Sequence, residues 1–450
     1  MIAPARVAAY RILTSVSAGR ADLPSAIAHV RGSLDDERDR ALATEIATGV
    51  ERWRLALDHV IEALSKRPLR RLDPEIVDIL RLSAYQLLHL TRVPASAVVD
   101  DAVDLARRAG KRSAAGFVNA VLRNISRRRR ALPLPPRRDD PADREAMLDY
   151  LSITLSHPRW LAARWLDRYG FDATERWLQF DNAPAPLTLR ANRLRATRDA
   201  LEERLRALGV ETARGRFAPD ALVLESGAPL AAAELDTGWF VVQDEASQLV
   251  PLLAGPAPGR RVLDACASPG GKTTALAAAM GNAGLLVACD VRGRRIELLE
   301  RTIAACGARA RIVQADLMHA LPFREPFDCV LVDAPCSGLG TLRRDPDIRW
   351  RRREGDLTTL AAAQLVMLQH AAAAVAPGGR LIYATCSSEP EENEAVADAF
   401  LATTHRFAPV DAREAAPALA PSLVNARGHL VTTPPEHGLE AFFGAVFRNL

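Results

Sequence analysis

The sequence predicts a multidomain protein: an all-helical bundle, then a small α+β module, then an α/β domain built on a parallel sheet. Three observations support this fold class. The chain has 450 residues, which is more than one ordinary hydrophobic core accommodates. Apolar residues recur at helical spacing through the first 125 residues. From about residue 236, nearly continuous apolar strands alternate with helices, a pattern typical of parallel sheets covered on both faces.

The first domain, residues 1–130, is predicted to contain five to seven helices. Segments such as "DPEIVDILRLSAYQLLHL" and "AGFVNAVLRNISRR" place apolar residues three and four positions apart. The run Asp73-Pro74-Glu75 is a favourable helix start, because it offers an N-cap and a proline at the first helical position. Gly110 is a favourable helix stop. We therefore expect a compact helical bundle.

A second, mixed domain is predicted for residues 141–235, after an Arg- and Pro-rich linker at 126–140. "SHPRWLAARWLDRYG" is an amphipathic helix, whose tryptophans we interpret as packing residues. "APLTLRANRL" alternates like a strand, and "ALVLES" suggests a strand pair. For Arg190 and Arg193 we expect a solvated face. The segment is interpreted as a small α+β module.

The third domain, residues 236–450, is predicted to be Rossmann-like. Five strands are expected at "RRVLDAC", "GLLVACDV", "ARIVQAD", "FDCVLVDAPCSG" and "GRLIYATC", with helices between them. The tail is expected to add a closing hairpin with an antiparallel edge strand. The glutamates at 391 and 392 are expected to stabilise the N-terminus of the last helix.

Charge is distributed unevenly along the chain. Residues 1–140 hold 25 Lys and Arg against 17 Asp and Glu, a net +8, whereas the whole chain carries +4. A basic front half suggests a polyanionic partner such as nucleic acid. No uncharged apolar run reaches membrane-spanning length, and the first residues lack the separate regions of a signal peptide. We expect a cytoplasmic monomer with no membrane partner.

The loop "LDACASPGGKTT" follows the first strand of the third domain, where open α/β sheets bind ligands. A P-loop needs GxxxxGK[ST]; Gly271-Lys272-Thr273 fit its end, but Cys266 stands at its first glycine, which disfavours an NTPase. The dinucleotide fingerprint GxGxxG is absent. We favour an S-adenosylmethionine loop, in which Pro269, Gly270 and Gly271 let the backbone turn close to the donor.

Acidic residues stand at the ends of four successive predicted strands. They are Asp264, Asp290, Asp316 and Asp333. Asp290 is placed to bind the ribose hydroxyls of the donor, and Asp316 to meet the adenine amino group. A single aspartate in such a position is often only a helix N-cap. Four in succession form a pattern that capping does not explain well.

Two cysteines end the fourth and fifth strands, in Asp333-Ala334-Pro335-Cys336 and Thr385-Cys386-Ser387. If these strands are neighbours, both thiols overhang one cleft. Two thiols, an aspartate and a methyl donor suggest methylation of a pyrimidine carbon, because a thiolate adding to C6 of cytosine makes C5 nucleophilic. Lys272 is the nearest cation that could lower a thiol pKa. The spacing does not decide which cysteine attacks.

The remaining cysteines at 289, 306 and 329 lie within predicted strands or helices, and we expect core positions for them. No cysteine or histidine pattern has metal-ligand spacing, so we expect no metal.

These motifs resemble a known family. "LDACASPGGKT", "VLVDAPCSGLGTLRRDPDIRW" and "ATCSSEPEENE" look like the motifs of the Nop/Sun RNA cytosine-5 methyltransferases, and "VVQDEASQLV" resembles the segment before them. The N-terminal bundle is similar to the antitermination factor NusB. A NusB-like bundle joined to a Nop/Sun domain is the arrangement of the bacterial RsmB (Sun/Fmu) family. Ser268, and Asp345 before "PDIRW", depart from the usual family residues.

The resemblance implies specific roles. It implies that Cys386 is the nucleophile and that Cys336 assists release of the product. It places the S-adenosylmethionine site on the loop after the first strand of the third domain and at the ends of the second, third and fourth strands. The residues are Cys266, Ala267, Ser268, Pro269, Gly270, Gly271, Lys272, Asp290, Asp316 and Asp333. Lys272 and Asp333 are also expected to act in catalysis.

The same resemblance implies the substrate. It is 16S ribosomal RNA or a small-subunit assembly intermediate, contacted by the NusB-like and α+β parts. Two alternatives stay open: the same chemistry on transfer RNA, and a non-catalytic NusB-like RNA-binding or antitermination factor.

Overall fold

The computed structural model describes residues 2–227 and 238–450. Its contacts divide the chain into two compact units. Unit 1 comprises the described residues up to Pro184 together with Leu342–Arg352, and unit 2 comprises the remaining described residues. The predicted boundary at 235/236 lies outside the described residues. The predicted fold class is confirmed: a helical bundle, a small α+β module and an α/β domain follow one another along the chain.

Unit 1 begins with the helical bundle. Its seven helices are α1 (Pro4–Ser17), α2 (Leu23–Arg31), α3 (Glu37–Arg52), α4 (Arg54–Ser65), α5 (Pro74–His89), α6 (Ala95–Arg108) and α7 (Ala115–Arg128). Helix α5 begins at Pro74 as predicted, but the Asp73 side chain pairs with Lys111 at 3.2 Å and does not cap the helix. Gly110, with φ +81°, follows the end of α6 as expected. One apolar cluster fills the bundle interior.

Three further helices complete the N-terminal part of unit 1. They are α8 (Arg144–Asp149), which continues into a π-helical turn (Tyr150–Thr154), α9 (Arg159–Tyr169) and α10 (Phe171–Asn182). Trp165 is buried, with its ring centroid 4.6 Å from that of the buried Trp177, which confirms the interpretation of Trp165 as a packing residue. The predicted linker is only partly irregular, because α7 continues to Arg128.

Unit 2 begins with the small module, a four-stranded antiparallel sheet in the order β2-β3-β1-β4 with one helix. Its elements are β1 (Thr188–Ala191), α11 (Arg198–Ala207), β2 (Glu211–Arg214), β3 (Ala221–Ser226) and β4 (Phe240–Val242). All four residues of β1 are buried, so the alternation that predicted this strand does not correspond to a solvated face.

The α/β domain follows. Its elements are α12 (Glu245–Ala254), β5 (Arg261–Asp264), α13 (Gly271–Ala279), β6 (Leu285–Asp290), α14 (Gly293–Cys306), β7 (Arg311–Gln314), β8 (Phe327–Asp333), α16 (Asp356–Ala373), β9 (Val375–Thr385), α17 (Glu394–Thr403), β10 (Phe407–Val410), α18 (Ala412–Ala415), β11 (Leu430–Thr432), α19 (Pro434–His437) and β12 (Phe442–Asn449). Helix α15 (Ile348–Arg351), between β8 and α16 in sequence, belongs to unit 1.

The strands of this domain form one mixed sheet in the order β10-β12-β9-β8-β5-β6-β7, with β11 paired to β12. Strands β5 to β9 are parallel to one another, and β12 is antiparallel to β9, β10 and β11. The expected closing hairpin is formed by the antiparallel strands β11 and β12, but β12 is not an edge strand, because it lies inside the sheet between β9 and β10. The chain runs from β5 towards β7 on one side and returns through β8 and β9 on the other. This reversal creates the crevice where such sheets bind ligands.

The segment Leu342–Arg352 lies in unit 1, although its neighbours in sequence lie in unit 2. Arg349 is fully buried there and donates to the Ser156 carbonyl and to Asn182 Oδ1, each at 3.0 Å. A buried guanidinium that meets such acceptors fixes the segment firmly. The predicted bounds of the three domains, 1–130, 141–235 and 236–450, remain predictions.

Candidate active site

A buried arginine holds the end of the loop that follows β5. Arg190 donates to Gln243 Oε1 and Thr274 Oγ1, each at 2.6 Å, and to the Gly271 carbonyl. Burial lowers the pKa of Arg190 to about 10. The expectation that Arg190 lies on a solvated face is wrong; Arg193 is 64% exposed, as expected. Arg190 therefore anchors the first turn of α13.

Gly270 gives this loop its shape. Its φ is +105°, and a Cβ there would lie 3.0 Å from Leu299 Cδ1 and 3.2 Å from Thr302 Cβ. A side chain at this position would be strained by its backbone conformation and would also meet α14. The glycine thus lets the loop pass close to the helix that follows β6.

The acidic residues at the strand ends separate into two groups. Asp290, Asp316 and Asp333 line one cavity of about 230 Å³ at the carboxyl ends of the strands. Asp264 is fully buried and instead accepts a hydrogen bond from Thr273 Oγ1 at 2.7 Å. Three of the four predicted acidic residues therefore lie at the cavity, and the fourth, Asp264, stabilises the loop.

The predicted donor-site residues lie around two adjoining cavities. The 230 Å³ cavity is lined by Cys266 and Ser268 as well as by the three carboxylates and both strand-end cysteines. A neighbouring cavity of about 250 Å³ is lined by Ala267, Pro269, Gly271 and Lys272. Ser268 and Asp333 line both. Gly270 lines neither and acts through the loop conformation.

Asp290 and Asp316 still have acceptor capacity for a ligand. Asp290 accepts from the backbone N–H groups of Ser268 at 3.1 Å and Val291 at 2.9 Å, one on each oxygen. Asp316 accepts from the backbone of Met318 at 2.9 Å. A carboxylate can accept about four hydrogen bonds, so both retain lone pairs. Arg295 lies 3.5 Å from Asp290 and also lines the cavity.

Lys272 and Asp333 form an ion pair at the border of the two cavities. Lys272 Nζ lies 2.6 Å from Asp333 Oδ2, and 5.7 Å from the ring centroid of Phe442. Burial acts to lower the pKa of Lys272, but the carboxylate of Asp333 outweighs it and the charge of Cys386 adds to it, so the net shift is upward. Lys272 therefore keeps its positive charge, and that charge acts on both Asp333 and Cys386.

The two strand-end thiols meet, because β8 and β9 are adjacent parallel strands. The Sγ atoms of Cys336 and Cys386 lie 3.1 Å apart, close enough for one thiol to donate to the other sulfur, and both line the 230 Å³ cavity. A hydrogen bond with Cys386, followed by burial, raises the pKa of Cys336 well above its ordinary value. The predicted convergence of the two thiols on one cleft is confirmed.

The other three cysteines lie in the core, as expected. Cys289, Cys306 and Cys329 are buried, and burial raises the pKa of each. Within residues 2–227 and 238–450, no group of three potential metal ligands is found. The part of the chain that the structure describes also contains no helix with the length and hydropathy needed to cross a bilayer.

Sequence reasoning missed one residue beside this site and misassigned another. Phe442, on β12, lies with its ring centroid 5.7 Å from Lys272 Nζ, and its position in sequence carried no clear signal. Glu392, expected at a helix N-terminus, is instead fully buried and accepts hydrogen bonds from the turns that carry both cysteines. Its place in "PEENE", six residues after Cys386, was the available signal.

Asp264 predicts a specific pH dependence. Burial, together with the charge of Asp333, raises the pKa of Asp264 to about 7. The folded state therefore retains a proton that the unfolded chain loses near pH 4, and folding stability should fall as the pH rises from about 4 to about 7. Relative to Asp264→Asn, the wild type should lose on the order of 4 kcal/mol across this window. Urea unfolding of both proteins at several pH values measures the difference; a difference independent of pH would contradict the assignment.

Gly340 fixes the turn that contains Cys386. Its N–H donates to the Cys386 carbonyl at 3.0 Å, and a Cβ there would lie 2.1 Å from the Ala441 carbonyl oxygen and 2.8 Å from that of Cys386. Because both are backbone atoms, Gly340→Ala must shift the turn. We expect a loss of about 1–3 kcal/mol in stability and about a tenfold slower single turnover.

The control for Gly340→Ala is Gly116→Ala, at a helical site where a Cβ meets nothing within 4 Å. It should lower neither the free energy of unfolding nor the turnover rate. Wild-type behaviour of the Gly340 variant in both measurements would show that the turn tolerates displacement.

Family models match three parts of the chain. The model described as 16S rRNA methyltransferase RsmB/F matches residues 251–448. The NusB family model matches residues 3–127, and the ferredoxin-like domain of RsmF/B-like methyltransferases matches residues 157–231.

Named relatives are similar over most of their length. Ribosomal RNA small subunit methyltransferase B from Pseudomonas putida is 36% identical over 404 residues, which is 89% of each chain. The protein of the same name from Pseudomonas syringae is 35% identical over 406 residues, covering 89% of this chain and 87% of its own.

Solved structures agree with this pattern. The crystal structure of PH0851 superposes with a TM-score of 0.81 at 26% identity and covers 99% of both chains. A methyltransferase homolog protein from Pyrococcus horikoshii gives a TM-score of 0.58 at 27% identity, covering 68% of this chain and 99% of its own.

Proposed function

Because the chain belongs to the RsmB/F family of 16S rRNA methyltransferases, we propose that it transfers a methyl group from S-adenosylmethionine to C5 of a cytosine in 16S ribosomal RNA. The observation that carries the chemistry is the pair of thiols, Cys336 and Cys386, 3.1 Å apart at a cavity bordered by the Lys272–Asp333 ion pair. One thiol can then form a covalent bond with the base while the other handles a proton.

The cavity residues fit S-adenosylmethionine. Asp290 retains acceptor capacity for two ribose hydroxyls, and Asp316, 43% exposed at the cavity, retains capacity for an amino group. The loop 266–272 would line the methionine portion, and Arg295 would approach from α14. When bound, the donor supplies an electrophilic methyl group on a sulfonium sulfur.

Cys386 acts as the nucleophile. Its thiolate forms a bond to C6 of the cytosine, and the electron pair of the C5–C6 double bond becomes available at C5 to take up the methyl group. Asp333 accepts from the exocyclic amino group and holds the ring, with Lys272 stabilising the carboxylate. The base must leave its stack to reach the cavity.

Cys336 completes the reaction. Elimination requires loss of the C5 proton and cleavage of the bond between Cys386 and C6. Cys336, in contact with the departing sulfur, gives its proton to Cys386 and takes the proton from C5. The thiol pair then holds one proton more than at the start, which equals the proton lost from the base, and solvent removes it before the next turnover.

The basic front of the chain supports a ribosomal RNA substrate, because the excess of eight positive charges in residues 1–140 favours a polyanion. We assign RNA contact to the helical bundle and the small module.

The test incubates the full chain with labelled S-adenosylmethionine and, separately, 16S RNA, small ribosomal subunits stripped of this methylation, and transfer RNA. Bisulfite sequencing then locates the product. We expect one 5-methylcytosine in 16S RNA. Methylation confined to transfer RNA would show that transfer RNA, and not 16S RNA, is the substrate. The absence of methylated cytosine from every RNA, despite donor binding, would overturn the proposal.

A further inference from the structure

A single buried carboxylate joins the turns that carry the two thiols. Glu392 Oε1 accepts from the backbone N–H of Ser337 at 2.8 Å, and its Oε2 accepts from Ser387 Oγ at 2.6 Å. Ser337 and Ser387 directly follow Cys336 and Cys386, and their hydroxyl oxygens are 3.1 Å apart. One side chain therefore holds both cysteine turns.

A second layer of hydrogen bonds fixes this carboxylate. Gln364 Nε2 donates to Glu392 Oε1 at 2.9 Å and to the Pro335 carbonyl at 3.0 Å. The Tyr383 hydroxyl contacts Gln364 Oε1 at 3.0 Å and donates to the Glu392 carbonyl at 2.5 Å. Glu392, Gln364 and Tyr383 are at most 1% exposed. A network satisfied in this way holds its members rigidly.

Glu392 and Lys272 are charged groups that act on the thiol pair. The three donors to the Glu392 carboxylate are neutral groups, so its negative charge acts on its surroundings at low dielectric. It acts on Cys336, whose pKa it helps to raise after the hydrogen bond with Cys386 and burial. The ammonium of Lys272 acts on Cys386. The charge of Glu392 therefore opposes ionisation of Cys336, and the ammonium of Lys272 attracts negative charge on Cys386.

We propose that Glu392 is the positioning residue of this site: it clamps the two cysteine turns together and disfavours ionisation of Cys336, so that Cys386 is the thiol that attacks. This inference rests on the proposed function, because it assigns the means by which one of two thiols becomes the nucleophile. Glu392 acts through the cysteine turns and does not touch the base.

The ionisable groups around Cys336 come from three elements. Tyr383 faces it from β9 and Cys386 from the residue after β9, Glu392 from the turn before α17, and Asp333 precedes it at the end of β8. Cys386 and Glu392 bear a negative charge when ionised, and both oppose ionisation of Cys336. Burial raises the pKa of Tyr383 well above its ordinary value, so its hydroxyl stays neutral. Removing the charge of Glu392 should therefore let Cys336 ionise at lower pH.

The test compares Glu392→Gln with the wild type by thiol alkylation, which requires no RNA. Iodoacetamide is applied from about pH 6 to about pH 9, the range where ordinary thiols begin to ionise, and peptide mass spectrometry scores each cysteine. In the wild type, Cys386 should react first. In the variant, reaction at Cys336 should rise by about tenfold at neutral pH, which corresponds to about one unit of pKa.

Methyl transfer gives the second readout. Glu392→Gln should lower kcat by about 10²-fold or more, because the reacting sulfur is misplaced, while KM for S-adenosylmethionine stays at the wild-type value. Glu391→Gln, the neighbouring half-buried glutamate, is the matched control and should change neither readout. A wild-type alkylation order together with a wild-type kcat in Glu392→Gln would overturn the proposal.

Ser387→Ala keeps the test decisive if Glu392→Gln does not fold. It removes one donor to the clamp and leaves the charge, so the alkylation order should persist while kcat falls about tenfold, the usual scale for one lost hydrogen bond to a charged group. An unchanged kcat would overturn the clamp, and a reversed alkylation order would overturn the charge assignment. Should the wild type methylate no RNA, the proposed function fails, whereas the alkylation order still reports on Glu392.

Discussion

Replacing Cys386 by alanine is expected to abolish methyl transfer. The proposed reaction begins with a bond between this sulfur and C6, and without it C5 of cytosine is too weak a nucleophile to accept the methyl group. The rate should fall by on the order of 10⁴-fold or more, the scale seen when a covalent nucleophile is removed. A single-turnover assay with labelled S-adenosylmethionine and the RNA substrate measures the loss.

Donor binding provides the control for Cys386→Ala. The acidic groups assigned to the donor, Asp290 and Asp316, lie on β6 and after β7, and strands β8 and β5 separate β6 from β9 in the sheet. Titration calorimetry should therefore give the wild-type affinity for S-adenosylmethionine. Full activity in this variant would end the assignment of Cys386 as nucleophile. Cys329→Ala, at a buried core cysteine, should retain activity.

Replacing Cys336 by alanine is expected to trap the RNA on the protein. The first thiol can still add to C6 and the methyl group can still transfer, but the group that exchanges protons with the departing sulfur is lost. The adduct should accumulate to near one RNA per protein and appear as a slowly migrating band on a denaturing gel.

The double variant lacking both thiols is the matched control for this trap. It should give no slow band, because the adduct requires Cys386. Product release from Cys336→Ala at the wild-type rate, with no trapped species, would show that Cys336 has no part in elimination.

The sequence predicted the placement of the thiols because parallel neighbouring strands end at the same edge of a sheet. Once β8 and β9 were assigned as neighbours, Cys336 and Cys386 had to meet. The same reasoning placed Asp290, Asp316 and Asp333 at the cavity. It failed for Asp264, because β5 is central and short, and the carboxylate at its end points into the packed interior where burial raises its pKa.

Contacts between segments that lie far apart along the chain could not be predicted from the sequence. Arg190 was expected on a solvated face, since nothing local shows that it meets Thr274 and Gln243. Glu392 was expected to serve a helix terminus, because its partners Ser337 and Gln364 lie 55 and 28 residues away. The partners of such side chains depend on tertiary packing, which rules for apolar periodicity and helix capping do not describe.

The position of β12 was also misjudged for a physical reason. Its residues are almost all buried, and it pairs with β9 and β10 on its two sides. A C-terminal strand is readily taken for an edge strand, whereas here the last strand completes the interior of the sheet. This position of β12 brings Phe442 beside Lys272, a contact that no local sequence motif predicts.

The most direct test of the account identifies the atom that bonds to the base. The full chain is incubated with S-adenosylmethionine and 16S RNA carrying fluorine at C5 of its cytosines; fluorine cannot leave as a cation, so the adduct persists. After nuclease and protease digestion, mass spectrometry locates the link. We predict a methylated fluorocytidine on the peptide that contains Cys386. A link through Cys336, or methylated RNA with no covalent link to the protein, would contradict the account.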